Sequence, residues 1–311
     1  MTGEALSSFY HRSATRAFSL ARRVMTGQPW VILDVAYRAL LQRPPDPHAR
    51  SWLPQLRSGE LSVEQLGRKI MDSDEFRVLA ASTSLGESLH RSRCDWVRSL
   101  PPARRIMDLG GTNLHHEHGA LVTMGYPYPF DELLVVDLPP DERHQSYNKG
   151  GLRQDVDVGR GLVRYAYHSM ADLDRYPDAS FDMVFSGQSI EHVPAGDADV
   201  ILKQARRILR PGSWLALDTP NRSITRRWVE QYSPSGAGYI DPDHKYEYTV
   251  GELVDKVTSA GFLVVERKGL NLAAALIERN AFSEEDLARH PGVYAEAEAC
   301  YAVALLCRTP S

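Results

Sequence analysis

Several groups of residues in this sequence have the types and spacing to do chemistry. Ile106-Met-Asp-Leu-Gly-Gly-Thr-Asn113 is an apolar run that carries an acid, Asp108, and breaks at Gly110-Gly111. Glycine at such a break allows positive φ and removes the side chain that would hold a ligand off the backbone. Leu133-Leu-Val-Val136 is a second apolar run, and it ends in Asp137. A carboxylate at that point is a charge-assisted acceptor for paired sugar hydroxyls. Glu191-His192 follows a third run, Phe181–Phe185, and His244 stands in Asp241-Pro-Asp-His244. Neutral imidazole is the natural base for a hydroxyl near pH 7. In the cluster His115-His-Glu-His118, His115 and His118 are three apart, which suits shared metal ligation, although no known zinc spacing is present. A polar wall at a substrate entrance fits that cluster better.

These residues need a scaffold, and the hydrophobic pattern supplies one. From Ser99 onward, strands and helices alternate, with strands expected at 105–109, 133–136, 163–167, 181–185, 213–217, 262–266 and 299–307. A helix from about Asp197 to Leu209 should stop at Pro211-Gly212, and Thr249 should cap another that ends at Gly261. Such a series implies an α/β fold: a doubly wound, Rossmann-like, seven-stranded and mostly parallel sheet whose last two strands form an antiparallel pair. The loop before Asp137 is long, and its Tyr126-Pro-Tyr-Pro-Phe130 run suggests an added wall or lid.

Residues from about 30 to 92 read as all-helical. Val31, Ile32, Val35, Ala36, Leu40 and Leu41 recur at helical spacing before Pro44-Pro45, and Ser62 with Gln65 forms a capping box. The expected organisation is a small helical domain over 1–95 and an α/β domain over 96–311, joined near Pro101-Pro102.

Composition narrows the class. At 311 residues, with a net charge of −4 and a pI near 6.3, the chain has no global pull toward nucleic acid or anionic membrane. No segment approaches the ~18 consecutive apolar residues of a membrane span. Cys94, Cys300 and Cys307 form no CxxC pair and suit a reducing, cytoplasmic setting.

Taken together, the second part resembles the class I S-adenosylmethionine-dependent methyltransferases. The features occur in family order: Asp108-Leu-Gly-Gly111, Asp137, Ser169-Met-Ala-Asp-Leu173 before Phe181-Asp-Met-Val184, Glu191-His192-Val193, and Ala205-Arg-Arg-Ile-Leu-Arg-Pro-Gly212. Asp218-Thr-Pro-Asn221, His244 and Glu252-Leu with Ala260-Gly-Phe262 continue the pattern. One departure is Thr112, which stands where the family has its second spaced glycine. The resemblance implies a cofactor site at Asp108, Gly110, Gly111, Thr112, Asn113, Asp137, Leu138, Ser169, Met170, Ser186 and Gly187. It implies a bacterial O-methyltransferase of the branch acting on quinone-precursor and sugar hydroxyls, with Glu191, His192 and His244 as catalytic candidates. His115, His118, Gln188, Asn221 and Tyr246 are then substrate-binding candidates. Mg2+ is a candidate second cofactor, held by Glu191, His192 and Asp218. Gln188 stands where that branch often has a second glutamate, which weakens the metal site. The acceptor implied is a small-molecule or glycan hydroxyl, with no nucleic acid, no membrane span and a homodimer allowed for. The helical part resembles a small bacterial domain related to phycobilisome-linker helices, through Tyr37-Arg-Ala-Leu-Leu-Gln-Arg-Pro-Pro-Asp46, Trp52, Leu56-Arg-Ser-Gly59 and Ser73-Asp-Glu-Phe76. That implies docking or substrate presentation. The alternatives are a non-catalytic cofactor-binding scaffold and a nucleic-acid methyltransferase. Against the latter, Ser186-Gly-Gln-Ser stands where a base methylator carries Asn/Asp-Pro-Pro-Tyr/Phe/Trp.

Overall fold

The computed structural model describes residues 28–41, 44–46, 48–71, 73, 84–113, 116–143, 151–233, 235 and 237–311. The chain divides into two compact units between Thr83 and Ser84. That division lies upstream of the expected join at 95/96, because the helix over Leu85–Val97 buries Ser88, Ser92 and Cys94 as well as Trp96 in the second unit.

In the first unit the described elements are helical: α1 (Pro29–Leu41), a 3-10 turn (His48–Trp52), α2 (Leu53–Ser58) and α3 (Val63–Met71). Leu33, Ala36, Leu66 and Ile70 form its core, and the Tyr37 and Trp52 rings pack with centroids 6.2 Å apart. Ser62 Oγ accepts from Gln65 N at 3.1 Å and Gln65 Oε1 accepts from Ser62 N at 2.8 Å, so the predicted capping box forms. The turn expected at Ser73-Asp-Glu-Phe76 lies largely outside the described residues.

The second unit is built on one sheet. Its strands are β1 (Arg105–Leu109), β2 (Glu132–Asp137), β3 (Val156–Asp157), β4 (Leu162–Tyr167), β5 (Phe181–Gly187), β6 (Leu209–Pro220), β7 (Leu263–Leu272), β8 (Val293–Tyr294) and β9 (Cys300–Arg308). They lie in the order β3-β4-β2-β1-β5-β6-β9-β7-β8. The count is therefore nine where seven were expected, the additions being two-residue strands at the sheet's edges. The five strands β4-β2-β1-β5-β6 are parallel, whereas the pairs beyond β6 and at β3 are antiparallel. The mostly parallel character thus belongs to the centre alone.

Ile106 and Met107 are both fully buried, on opposite faces, because helices cover both sides of the sheet. Helices α4 (Leu85–Val97) and α7 (Arg222–Tyr232) pack on the Ile106 face. Helices α6 (Ala195–Ile208) and α8 (Val250–Ser259) pack on the Met107 face. Thr249 and Glu252 close the α8 capping box in both directions, and Gly261 follows its end at φ +91°. Pro211-Gly212 was expected to stop α6 ahead of the strand; instead both residues lie inside β6, beside a register shift against β5. No described helix is long and apolar enough to cross a membrane.

The chain runs from β1 outward through β2 to β4, then returns across β1 to β5. A crevice therefore opens at the carboxyl ends of β1 and β5, where the strand order reverses. The Tyr126–Phe130 run does not face it as a lid. Tyr126 is fully buried, donates to Pro101 O at 2.9 Å and accepts from Ala103 N at 2.7 Å, so it braces the entry to β1 at the opposite edge. Tyr126→Phe leaves a buried amide unpaired and should destabilise the unit by about 1–3 kcal/mol. A lower urea midpoint at constant m-value is the expected result.

Candidate functional site

The turn after β1 is shaped by two different glycine requirements. Gly110 sits at φ +72°, and a Cβ there would lie 2.7 Å from the Ser189 Cβ. Gly111 has ordinary backbone angles, but its Cβ would overlap the Asp108 carboxylate. That carboxylate curls beneath the turn and accepts from Leu121 N at 3.3 Å, in the short helix α5 (Gly119–Thr123). Burial pushes Asp108 up to about 7, and its Oδ1 finds no partner among the described residues. Asp108 and Gly111 therefore build the turn and do not line the cleft.

The cleft beside this turn has a volume of about 350 Å3. Gly110, Thr112, Asp137, Leu138, Met170 and Gly187, named from sequence as cofactor candidates, are among the residues that line it. Asp137 accepts from Leu138 N at 2.8 Å and from Thr112 N at 3.2 Å, and it pairs with Arg143 at 3.4 Å. Each carboxylate oxygen keeps acceptor capacity beyond these bonds. Three other cofactor candidates are not among the residues lining the cleft. Asn113 Nδ2 bonds Thr123 Oγ1 at 3.0 Å, Ser169 Oγ accepts from Ala171 N at 3.2 Å, and Ser186 is buried against Ser189 Oγ at 2.7 Å.

The cleft's other wall comes from the chain after β5. His192 lines it, as does Asp243, whose Oδ2 meets His192 Nδ1 at 3.2 Å. Burial lowers the His192 pKa, the neighbouring His244 charge lowers it further, and Asp243 only partly offsets both. The His244 ring lies 4.8 Å away, edge to face. Burial also acts to lower His244, but its 2.6 Å contact with Glu247 and the charge of Glu191 outweigh that and raise it. Of these two adjacent imidazoles, His244 therefore takes a proton more readily than a free ring and His192 less readily.

Glu191, expected to be catalytic, is wholly buried and accepts from Thr219 Oγ1 at 2.9 Å. Burial raises its pKa to about 7. Its backbone carbonyl accepts from Lys245 N and Tyr246 N, which ties the 241–246 loop to the 3-10 turn Ile190–His192. Asp218 is also wholly buried, bonded through Oδ2 to Arg93 Nε and Gln188 Nε2, both at 2.8 Å. It is not in the group whose ligand atoms lie within 4.8 Å of one another, namely Glu191, His192 and His244. Two imidazoles and one carboxylate do not fit Mg2+, which takes oxygen ligands.

Of the substrate candidates, Asn221, Tyr246 and His118 are placed elsewhere. Asn221 is buried, caps α7 through Ser223 N at 3.1 Å and donates to the Cys300 carbonyl at 3.0 Å. Tyr246 bonds Glu252 at 3.2 Å beneath the Arg222 guanidinium. His118 precedes α5 without lining the cleft, and His115 lies outside the described residues. Gln188 does line the cleft, although its amide is bonded to Asp218. Sequence reasoning missed Arg93, Arg143, Ser189 and Asp243. Asp243 could have been found as the acid beside His244; Arg93 carried no local signal.

Residues 124–217 match the model of a methyltransferase domain family. A probable S-adenosylmethionine-dependent methyltransferase of Mycolicibacterium smegmatis is 36% identical over 142 residues, covering 46% of this chain and 49% of that protein. The 27-O-demethylrifamycin SV methyltransferase of Amycolatopsis mediterranei is 35% identical over 88 residues, 28% of this chain and 30% of that one. A ubiquinone biosynthesis O-methyltransferase of Paracidovorax citrulli is 24% identical over 191 residues, 57% and 72% respectively. The chain spans about half the length of the first of these relatives.

Gly110→Ala sets a Cβ against Ser189 in a backbone conformation that L-residues rarely adopt. We expect a ~5- to ~150-fold loss of S-adenosylhomocysteine affinity by calorimetry, since strain of this kind costs on the order of 1–3 kcal/mol.

Proposed function

We propose that this chain, whose α/β unit is an S-adenosylmethionine-dependent methyltransferase domain, methylates a hydroxyl on a sugar, an oligosaccharide or polysaccharide precursor, or a related secondary metabolite. The observation that carries the oxygen acceptor is the His192–Asp243 pair in the cleft wall. The relatives named for a 27-O-demethylrifamycin and for O-methylation in ubiquinone biosynthesis support the same reading. The residues present fit the cofactor. A Cβ would fill the space at Gly110, Met170 offers an apolar face for the adenine, and Asp137 retains acceptor sites for the ribose hydroxyls.

Bound S-adenosylmethionine supplies a methyl group already activated by its sulfonium. The protein's own task is to align an acceptor and remove its proton. Asp243 fixes the His192 tautomer by accepting a hydrogen bond from Nδ1–H, which leaves Nε2 as the basic nitrogen. Burial keeps that ring neutral, so it accepts the hydroxyl proton as the oxygen takes the methyl group. His244, where Glu247 and Glu191 favour the proton, disfavours a second charge on His192, so His192 rather than His244 is the base. The helical unit is assigned to docking or to presenting the acceptor.

His192→Ala should lower kcat by about 10²–10⁴-fold, the usual contribution of a general base, while leaving S-adenosylhomocysteine affinity unchanged. Because the His192 pKa lies below the ordinary 6.5, the wild-type rate should fall with acidification only through a limb centred below that value. A methyl-transfer assay over hydroxyl, amine and carbon acceptors decides the class; incorporation into amines or carbons alone would refute transfer to oxygen.

A further inference from the structure

Mg2+ does not suit the Glu191–His192–His244 cluster, but the same three residues are arranged as ligands for a cation of another class. Among the described residues, each of the three brings one ligand atom into a group whose members lie within 4.8 Å of one another. Zinc holds nitrogen and oxygen ligands at about 2.0–2.2 Å, so in a tetrahedral site they stand roughly 3.3–3.6 Å apart. Closing on such an ion moves the outermost pair inward by no more than about 1.5 Å, which side-chain rotation supplies. His192 also lines the cleft, which gives an ion its way in.

Two further features point to a ligand. The Glu191 side chain is wholly buried; its Oε2 accepts from Thr219 Oγ1 at 2.9 Å, while its Oε1 has no hydrogen-bond partner among the described residues. A carboxylate oxygen withdrawn from water at such a cost is stabilised by a cation. Both imidazoles, in addition, carry a carboxylate on the same ring nitrogen. Asp243 Oδ2 meets His192 Nδ1 at 3.2 Å and Glu247 Oε1 meets His244 Nδ1 at 2.6 Å, so each ring has Nε2 on its opposite edge. Such a pairing fixes the tautomer and the ring orientation of metal-ligating histidines. The outer acids are themselves held, Glu247 by Thr225 Oγ1 and Asp243 by the 241–246 loop that the Glu191 carbonyl clasps.

We propose that Glu191, His192 and His244 form a binding site for a zinc-class divalent cation, with Asp243 and Glu247 orienting the two rings. Two nitrogen ligands and one carboxylate oxygen match zinc and its neighbours in the first transition row, which imidazole suits, and not Mg2+. The cation takes no part in methyl transfer; it opposes it. A ring whose lone pair is given to a metal cannot take the acceptor's proton. An ion here switches off the base while the Gly110 and Asp137 side of the cleft stays open to the methyl donor. The site stands on the geometry of the cluster, whereas its inhibitory effect rests on the reading of His192 as the base.

The full chain, freed of metal by chelator and dialysis, is titrated calorimetrically with Zn2+ and spectroscopically with Co2+, whose visible d–d absorption reports four-coordinate geometry. A single equivalent of Zn2+ should bind, and excess Mg2+ should not displace it. Asp243→Asn should weaken Zn2+ by about tenfold to a hundredfold, the usual effect of losing an outer carboxylate, and Glu191→Gln by at least as much. Melting temperatures are read alongside, and Asp243→Asn, at the partly exposed acid, carries the comparison if Glu191→Gln does not fold. No Zn2+ binding, or binding that both substitutions leave unchanged, overturns the site. In transfer assays, added Zn2+ should inhibit without weakening S-adenosylhomocysteine. Binding at the cluster that leaves the rate unchanged or raises it overturns the inhibition and the base assignment, but not the site. A metal-free chain that binds no S-adenosylhomocysteine overturns the methyltransferase reading and leaves the zinc result standing.

Discussion

The Asp108 carboxylate occupies the space beneath the turn that follows β1, and the rest of the site depends on its being there. Any side chain at Gly111 would displace it. With the acid in place, the main chain must leave β1 through Gly110 at φ +72°, whose N–H donates to Val136 O at 2.8 Å. That bond ties the β1 turn to the neighbouring strand β2, which delivers Asp137. The carboxylate also accepts from Leu121 N, so it sets where α5 begins. Burying it raises its pKa to about 7, so near neutrality a substantial share is protonated and the desolvation penalty is eased. An acid that reads from sequence as a ligand contact is thus a piece of the template, and the backbone above it is the surface that meets a ligand.

Much of this frame was legible in the chain. Each of the seven long strands announced itself as an apolar or alternating run, and the α8 cap was written in Thr249 and Glu252. The edge strands Val156–Asp157 and Val293–Tyr294 were not legible, because two residues carry no periodicity and pairing with a neighbour alone makes them strands. Tyr126-Pro-Tyr-Pro-Phe130 misled because aromatic and proline residues compose a surface lid or a buried brace equally well. Only the two partners of the Tyr126 hydroxyl, in the segment entering β1, distinguish them. Arg93 was invisible for a different reason. It meets Asp218 across 125 positions of sequence, and only the packing of α4 on the sheet brings them together.

The two histidines show how one loop sets acid–base behaviour. The Glu191 carbonyl accepts both Lys245 N and Tyr246 N, a main-chain clasp that holds the 241–246 loop against the turn carrying His192. The clasp delivers Asp243 to one ring and presents the other, His244, edge-on. Glu247 is itself buried and bonded to Thr225 Oγ1, so its hold on His244 is fixed by α7 rather than by solvent. The rings shift in opposite directions because burial and the His244 charge disfavour a proton on His192, while Glu247 and Glu191 outweigh burial at His244.

That electrostatic pattern also bears on what kind of chemistry the site supports. In a site that grips a hard divalent cation, several carboxylates converge on open space. Here the acids turn to neighbours, Asp218 to Arg93 and Gln188, Asp243 and Glu247 to one histidine each, and Glu191 to Thr219, while Asp218 Oδ1 and Glu191 Oε1 are buried without a hydrogen-bond partner among the described residues. Gln188, standing where a further acid would serve a cation, brings an amide whose N–H donors complete the Asp218 brace instead. A methyl donor with a sulfonium centre needs no Lewis acid to polarise it, and an acceptor hydroxyl needs only a neutral base within reach. Beside Asp137, whose carboxylate keeps acceptor sites, the His192 ring in the cleft wall, held below its ordinary pKa by burial, is a group suited to take a proton.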